Sequence, residues 1–103
     1  RGDRVATVAN TVTATVSAIE QIGAVPVFVE IDPVTLLMDP SALESVLARE
    51  GGAVRAVVPV HLYGHPAPMP ELIASARRHG AWVVEDCAQA HGARLQGRRA
   101  GTW

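Results

Sequence analysis

The chain has 103 residues, of which 49% are hydrophobic and 18% are charged, the composition of a globular protein with room for one domain. Its formal net charge of -1 gives no electrostatic basis for binding nucleic acid or an anionic membrane. A single cysteine excludes an internal disulfide framework and no apolar stretch is long enough to span a bilayer, so a cytoplasmic setting is predicted.

The first half of the chain predicts strands and helices in alternation. Apolar residues at helical spacing indicate the helices, and short β-branched runs indicate the strands. Asp39 followed by Pro40 is typical of a helix start. The predicted elements are a strand over Arg4–Ala9, a helix carrying Val12, Val16 and Ile19 that stops at Gly23, a strand over Val25–Ile31, and a helix from Asp39 that closes before Gly51.

The second half continues this alternation and ends in a turn-rich segment. A stretch rich in glycine and proline separates the next strand from the next helix and is predicted to be a loop. The predicted elements are a strand over Val54–Val60, a loop over His61–Pro68, a helix from Pro70 that ends at Gly80, a strand over Ala81–Asp86, and a hairpin over Ala93–Ala100 that turns at Gln96 and Gly97.

Strands that alternate with helices of this length predict an α/β fold, with a parallel sheet that is covered by helices on both faces. The carboxyl ends of parallel strands meet at one edge of the sheet, which is where open α/β sheets hold their ligands. We therefore expect one edge, and one crevice, to be shared by Asn10, Thr11, Asp32, His61 and Asp86.

Asp86 is the leading candidate for function, because an apolar strand breaks there into an acid and the amide of Gln89 follows three residues later. From position alone, a helix cap or a loop ion pair explains Asp86 equally well. A magnesium site would need a second carboxylate and a lysine or glycine-rich loop for phosphate, and the chain has neither lysine nor such a loop. Glu85 alternates to the opposite face and is expected to be structural.

The other reactive side chains are predicted to be structural. Cys87 is unsuited to nucleophilic attack, because the neighbouring carboxylate raises the pKa of a thiol and the sequence places no activating base beside it. His61 and Tyr63 are expected to pack or to hydrogen-bond locally. The remaining histidines lack metal-ligand spacing, so no metal site is predicted. The absence of lysine excludes covalent imine chemistry by the chain alone.

Four runs of the sequence carry a family resemblance: Ala9–Thr11, Gly23–Val29, Pro59–Gly64 and Glu85–Gly92. In this order and over essentially the whole chain, they resemble the DegT/DnrJ/EryC1/StrS family of pyridoxal-phosphate sugar aminotransferases of fold type I. The resemblance implies that residues 1–103 are the central part of the cofactor-binding large domain, with its N-terminal and C-terminal parts absent. The parallel strands would then belong to a larger, mixed sheet.

The resemblance also implies roles for residues that would hold pyridoxal 5'-phosphate. The family's aspartate at the position of Asp86 pairs with the pyridinium nitrogen, and the amide at the position of Gln89 bonds the 3-hydroxyl oxygen of the ring. Val12 stands where the family usually has an aromatic residue stacked on the ring, so a weaker aliphatic contact is expected. The family's Schiff-base lysine would lie beyond Trp103, so no catalytic residue is expected within the chain.

The implied reaction is the transfer of an amino group, commonly from L-glutamate, to a keto-deoxysugar nucleotide in antibiotic or surface-polysaccharide biosynthesis, by a homodimer. Two alternatives remain open. One is a non-catalytic fragment that binds the cofactor or is inert, and the other is a family dehydratase in which histidine replaces the lysine. By itself, the lysine-free chain is expected to be catalytically silent.

Overall fold

Four strands pair in parallel in the computed structural model, which describes all of residues 1–103. The elements are, in chain order, β1 (Arg4–Val8), α1 (Thr13–Gln21), β2 (Val25–Val29), α2 (Pro40–Glu50), β3 (Val54–Val57), a 3-10 turn (Leu62–Gly64), α3 (Met69–Arg78), β4 (Trp82–Val83), β5 (Arg94–Leu95) and β6 (Arg98–Arg99). The parallel strands lie in the order β2-β1-β3-β4, and the last two strands form a separate antiparallel hairpin. The predicted parallel sheet flanked by helices is confirmed.

The main core lies between the sheet and the helix pair α2 and α3. Leu43 and Leu47 of α2, Leu72 of α3 and Val57 of β3 are almost completely buried there. Asp39 caps α2 as predicted, because its side chain accepts hydrogen bonds from the backbone N–H groups at the start of the helix. Truncating one of these leucines to alanine would cost about 2–5 kcal/mol, a large part of the stability of a small domain.

Helix α1 covers the opposite face of the sheet, where Thr15 and Ile19 are buried. The chain crosses from β1 to β2 and then back past β1 to β3, so right-handed crossovers place α1 and α2 on different faces. Because only α1 covers this second face, large apolar side chains stay exposed on the sheet: Trp82 by 76%, Val84 by 57% and Phe28 by 50%. The expectation that both faces are covered is therefore met on one face and only partly on the other.

The regular strands are shorter than the sequence predicts. The strands expected over Arg4–Ala9, Val25–Ile31, Val54–Val60 and Ala81–Asp86 end at Val8, Val29, Val57 and Val83. Proline at position 59 has no N–H to donate, which interrupts the ladder of β3, and only a single bridge between Val60 and Asp86 follows.

The helix bounds differ from the predictions by a residue or two. The helix predicted from Pro70 begins at Met69, and the one predicted through Val12 begins at Thr13. The predicted loop over His61–Pro68 contains the 3-10 turn. The hairpin turn at Gln96 and Gly97 is confirmed. None of the helices has both the length and the apolar character needed to cross a membrane.

Candidate functional site

The backbone of Asp86 is fixed just beyond the ends of β3 and β4. Its N–H donates to the carbonyl of Pro59 at 2.9 Å, and its own carbonyl accepts from the N–H of His61 at 3.0 Å. These two bonds continue the parallel pairing beyond the regular ladder. Asp86 therefore lies at the carboxyl edge of the sheet, as predicted.

The carboxylate of Asp86 is turned towards α1. The hydroxyl of Thr15 donates to Oδ2 at 2.8 Å, and the backbone N–H of Ala88 donates to Oδ1 at 3.1 Å. The hydroxyl of Thr15 lies in turn 3.0 Å from that of Thr11. The predicted proximity of Asp86 and Thr11 is thus correct, and it is mediated by Thr15, which is not among the residues predicted for this edge.

Gln89 is held by the turn that follows β3. Its Oε1 accepts a hydrogen bond of 2.8 Å from the backbone N–H of Tyr63. Tyr63 adopts a left-handed conformation with φ of 55°, which is uncommon for a residue with a side chain. Because an N–H group can bond only to the amide oxygen, the oxygen end of Gln89 is assigned, and its Nε2 donates to no atom of the chain. The exposed amide of Gln89 therefore offers a free donor three residues after the acceptor Asp86.

Val12 precedes the first turn of α1, whose Thr15 contacts Asp86. It occupies the N-cap position, makes no side-chain cap and is 46% exposed. An apolar side chain at this position is available for contact with a bound ligand, but it has a smaller flat surface than an aromatic ring.

Two residues that were expected in the same crevice serve a neighbouring turn instead. The amide of Asn10 donates to the carbonyl of Leu36 at 3.3 Å. The carboxylate of Asp32 accepts from the backbone N–H groups of Thr35 at 2.7 Å and Val34 at 2.9 Å, and these bonds hold the pKa of Asp32 below its usual value. The expectation that these two side chains join Asp86 is therefore wrong, because a backbone carbonyl accepts from Asn10 and local backbone N–H groups donate to Asp32.

His61 and Glu85 form a buried pair on the other side of the strand end. His61 Nε2 lies 3.0 Å from Glu85 Oε2, while His61 Nδ1 accepts from the N–H of Ala67 at 2.9 Å. Since Nδ1 accepts a hydrogen bond, it carries no hydrogen, so Nε2 carries the ring hydrogen and donates a hydrogen bond to Glu85. Glu85 also accepts from the backbone N–H groups of Gly101 and Trp103, each at 2.7 Å.

The environment keeps Glu85 ionised. Burial alone would raise the pKa of its carboxyl, but the hydrogen bonds from Gly101, His61 and Trp103 together outweigh burial and hold that pKa below its usual value. Every one of these donors belongs to the chain itself, so Glu85 ties the turn after β3 and the residues after the hairpin to the strand end.

Cys87 lies beside this pair, and its ligand atom is within 4.8 Å of those of His61 and Glu85. The nitrogens of His61 and the oxygens of Glu85 are already engaged in hydrogen bonds. Burial, together with the charges of Glu85 and Asp86, raises the pKa of the Cys87 thiol. A protonated thiol is a poor metal ligand and a poor nucleophile, which agrees with the structural interpretation of Cys87.

The site therefore offers a bound ligand one hydrogen-bond acceptor and one hydrogen-bond donor. The acceptor is the carboxylate of Asp86, and the donor is the amide N–H of Gln89. This pair suits a flat ligand that carries a protonated ring nitrogen and, elsewhere on the ring, an oxygen anion. A pyridinium ring with a 3-oxygen has this donor and acceptor pattern, so the residues present fit pyridoxal phosphate.

The family model that matches the chain is the DegT/DnrJ/EryC1/StrS aminotransferase family, over residues 1–103. The dTDP-3-amino-3,4,6-trideoxy-alpha-D-glucose transaminase of Micromonospora megalomicea is 50% identical over 99% of the chain and 26% of its own length. The L-glutamine:2-deoxy-scyllo-inosose aminotransferase of Streptomyces kanamyceticus is 44% identical over 99% of the chain and 23% of its own length. The chain thus spans about a quarter of the length of these relatives.

Solved structures give the same result. DesV of S. venezuelae superposes with a TM-score of 0.92 at 45% identity, over 99% of this chain and 27% of that one. NtdA of Bacillus subtilis, whose structure contains the cofactor PMP, superposes with a TM-score of 0.85 at 34% identity, over 96% of this chain and 22% of that one. The fold is therefore that of fold type I aminotransferases, and the chain belongs to the DegT/DnrJ/EryC1/StrS aminotransferase family.

Proposed function

We propose that residues 1–103 form the central part of the large domain of a pyridoxal-phosphate aminotransferase, and that the complete enzyme transfers an amino group from L-glutamate to a keto-deoxysugar nucleotide. The observation that carries this proposal is the matched pair of Asp86, an acceptor, and Gln89, a donor, at the carboxyl edge of the sheet. Relatives that act on sugars and inososes support the substrate class.

Asp86 would hold the proton on the ring nitrogen of the cofactor through a charge-assisted hydrogen bond, a type worth about 1.5–3 kcal/mol. Gln89 would donate its free Nε2 hydrogen to the ring's 3-oxygen, and Val12 would contact the ring face. When bound, pyridoxal phosphate supplies an electron sink for the pair of electrons left when the substrate loses a proton. An ionised Asp86 keeps that sink strong because its negative charge favours the protonated ring.

None of Asp86, Gln89 and Val12 can exchange the amine with the cofactor or move the proton that the substrate loses. The chain contains no lysine, so we expect no imine between pyridoxal phosphate and a side chain of the 103-residue chain. An absorbance titration with pyridoxal phosphate, followed by borohydride reduction, tests this. Turnover by the pure 103-residue chain would contradict it.

The remaining parts of the proposal are a homodimeric, cytoplasmic enzyme and L-glutamate as the amino donor. The relative from Streptomyces kanamyceticus is named for L-glutamine, so the two donors need direct comparison.

The decisive experiment uses the full-length protein that carries this segment, with pyridoxal phosphate and a dTDP-linked keto-deoxysugar. We expect an amino sugar and 2-oxoglutarate in equal amounts with L-glutamate, with glutamine and no donor as controls. A dehydrated sugar without amine incorporation would instead support the family dehydratase. If the folded protein forms no product under any of these conditions, the result would support the alternative of a non-catalytic segment.

A further inference from the structure

We propose that Thr15 is a positioning residue for the cofactor. Thr15 acts by orienting the carboxylate of Asp86, and the hydroxyl of Thr11 in turn orients the hydroxyl of Thr15. The inference rests on the proposed function. It starts from the one side-chain hydrogen bond that joins α1 to the carboxylate of Asp86, 2.8 Å from Thr15 Oγ1 to Asp86 Oδ2.

The directions of the hydrogen bonds in this group are determined. An ionised carboxylate has no hydrogen, so the Thr15 hydroxyl must donate to Asp86. A hydroxyl has only one hydrogen, so at the 3.0 Å contact between the two threonines Thr11 must be the donor. The result is a relay in which Thr11 donates to Thr15 and Thr15 donates to Asp86, an order in which each bond polarises and strengthens the next.

Thr15 lies in the first turn of α1, two residues after the helix begins at Thr13. A threonine inside a helix can return its hydroxyl to the carbonyl four residues earlier, but for Thr15 that residue is Thr11, which lies before the helix. Thr15 is only 6% exposed, yet its hydroxyl bonds to the side chains of Asp86 and Thr11 and to no carbonyl of α1. The hydroxyl is therefore committed to the carboxylate rather than to the helix.

Two bonds fix the plane of the Asp86 carboxylate, one on each oxygen. Thr15 holds Oδ2, and the N–H of Ala88 holds Oδ1 at 3.1 Å. Each oxygen keeps a further lone pair for a ligand. Ala88 lies only two residues along the same loop, whereas Thr15 belongs to a helix packed on the sheet. Thr15 is thus the contact that fixes the carboxylate relative to the rest of the fold.

The probe for the test is pyridoxamine 5'-phosphate, which binds without forming an imine, and the readout is its dissociation constant for the full-length protein. Thr15→Val keeps the shape of the side chain and removes the hydroxyl, and we expect it to weaken binding about tenfold, the scale of one hydrogen bond to a charged group. Thr15→Ser restores the hydroxyl and should bind within about twofold of the unmodified protein. The matched control is Thr13→Val, an exposed position of the same helix with no side-chain hydrogen bond, which should have no effect.

A double-mutant cycle shows whether Thr15 acts through Asp86. In an Asp86→Ala background there is no carboxylate to orient, so adding Thr15→Val should change the dissociation constant less than twofold. An unchanged constant in Thr15→Val alone, an equal loss in both backgrounds, or a failure of serine to restore binding would overturn the inference. If the unmodified protein does not bind the probe at all, the proposed function fails and the inference falls with it, an outcome distinct from the other three.

Discussion

Glu85 and Asp86 are consecutive carboxylates with opposite surroundings. The side chain of Glu85 is only 9% exposed and accepts three hydrogen bonds, from His61 and from two backbone N–H groups after the hairpin. Asp86 is half-buried, accepts one bond from Thr15 and one from Ala88, and faces the edge of the sheet. Strand geometry sends the two side chains to opposite faces. A carboxylate whose acceptor positions are used by hydrogen bonds from its own chain stabilises the fold. A carboxylate that is oriented but keeps free acceptor positions is available to a ligand.

The largest expected effect comes from Asp86→Asn in the full-length enzyme. We expect turnover to fall by roughly 10²–10³-fold, the scale seen when a preorganised electrostatic group is removed, because an amide neither holds the ring proton nor balances its charge. The loss should lie in the half-reaction with the amino donor, followed by stopped-flow absorbance, while the thermal unfolding midpoint stays unchanged. If the Asp86→Asn enzyme carries out the half-reaction at the parental rate, Asp86 has only a structural role, like Glu85.

Glu85→Ala should have the opposite profile, a loss of stability. It leaves the buried Nε2 hydrogen of His61 and the N–H groups of Gly101 and Trp103 without an acceptor, and we expect a loss of about 1–3 kcal/mol, the cost of an unsatisfied buried donor. Urea unfolding measures the loss, and hydrogen exchange at the Gly101 and Trp103 amides should accelerate. Glu85→Gln, which keeps one acceptor oxygen, is the milder control. If the amides of Gly101 and Trp103 stay protected from hydrogen exchange in Glu85→Ala, the Glu85 carboxylate is not what holds the residues after the hairpin in place.

Gln89→Ala should have a smaller effect than Asp86→Asn, because it removes one neutral donor to the ring oxygen. We expect about a tenfold weaker affinity for pyridoxamine 5'-phosphate and little change in folding. Gln89→Glu is the informative companion, since it keeps the acceptor for the N–H of Tyr63 but replaces the free N–H by a negative charge. Binding by Gln89→Glu as tight as that of the unmodified protein would contradict the assigned donor role.

The smallest expected effect concerns Glu44, a third carboxylate, which accepts from His79, Ser75 and Arg78 and so joins α2 to α3. The hydrogen bonds from His79, Ser75 and Arg78, in that order, lower the pKa of Glu44 to about 2. A carboxyl whose pKa is lowered in the folded state stabilises it above the ordinary pKa and loses that contribution as the pH falls through the folded value. Glu44→Gln should therefore flatten the acid decline of stability between about pH 4.5 and about pH 2. An unchanged slope in pH-dependent urea unfolding would show that this exposed cluster contributes nothing.

The sequence predicts those features that depend on neighbours along the chain. The cap at Asp39, the hairpin turn and the alternation of strands and helices follow from local residue chemistry, and the structure confirms them. The position of Asp86 beside Thr11 followed from a topological rule, that parallel strands end at one edge.

The features that sequence reasoning missed depend on contacts between distant residues. Thr15 meets Asp86 across 71 positions, and its spacing of four from Thr11 was the only sequence signal for it. The N–H of Tyr63 donates to Gln89 from a residue in a left-handed conformation, which its residue type does not favour. The incomplete cover of the second sheet face depends on which side each crossover takes, and hydrophobic periodicity alone does not contain that information.

The strand order also has a consequence for the order in which the sheet assembles. β1 comes first along this segment, yet it lies inside the sheet, with Arg4 paired to Val25 on one side and to Val54 on the other. During synthesis β1 therefore has one open edge until β3 has emerged, after β2 and the whole of α2. Such non-local parallel pairing is slow, and it leaves an apolar strand edge exposed to other nascent chains.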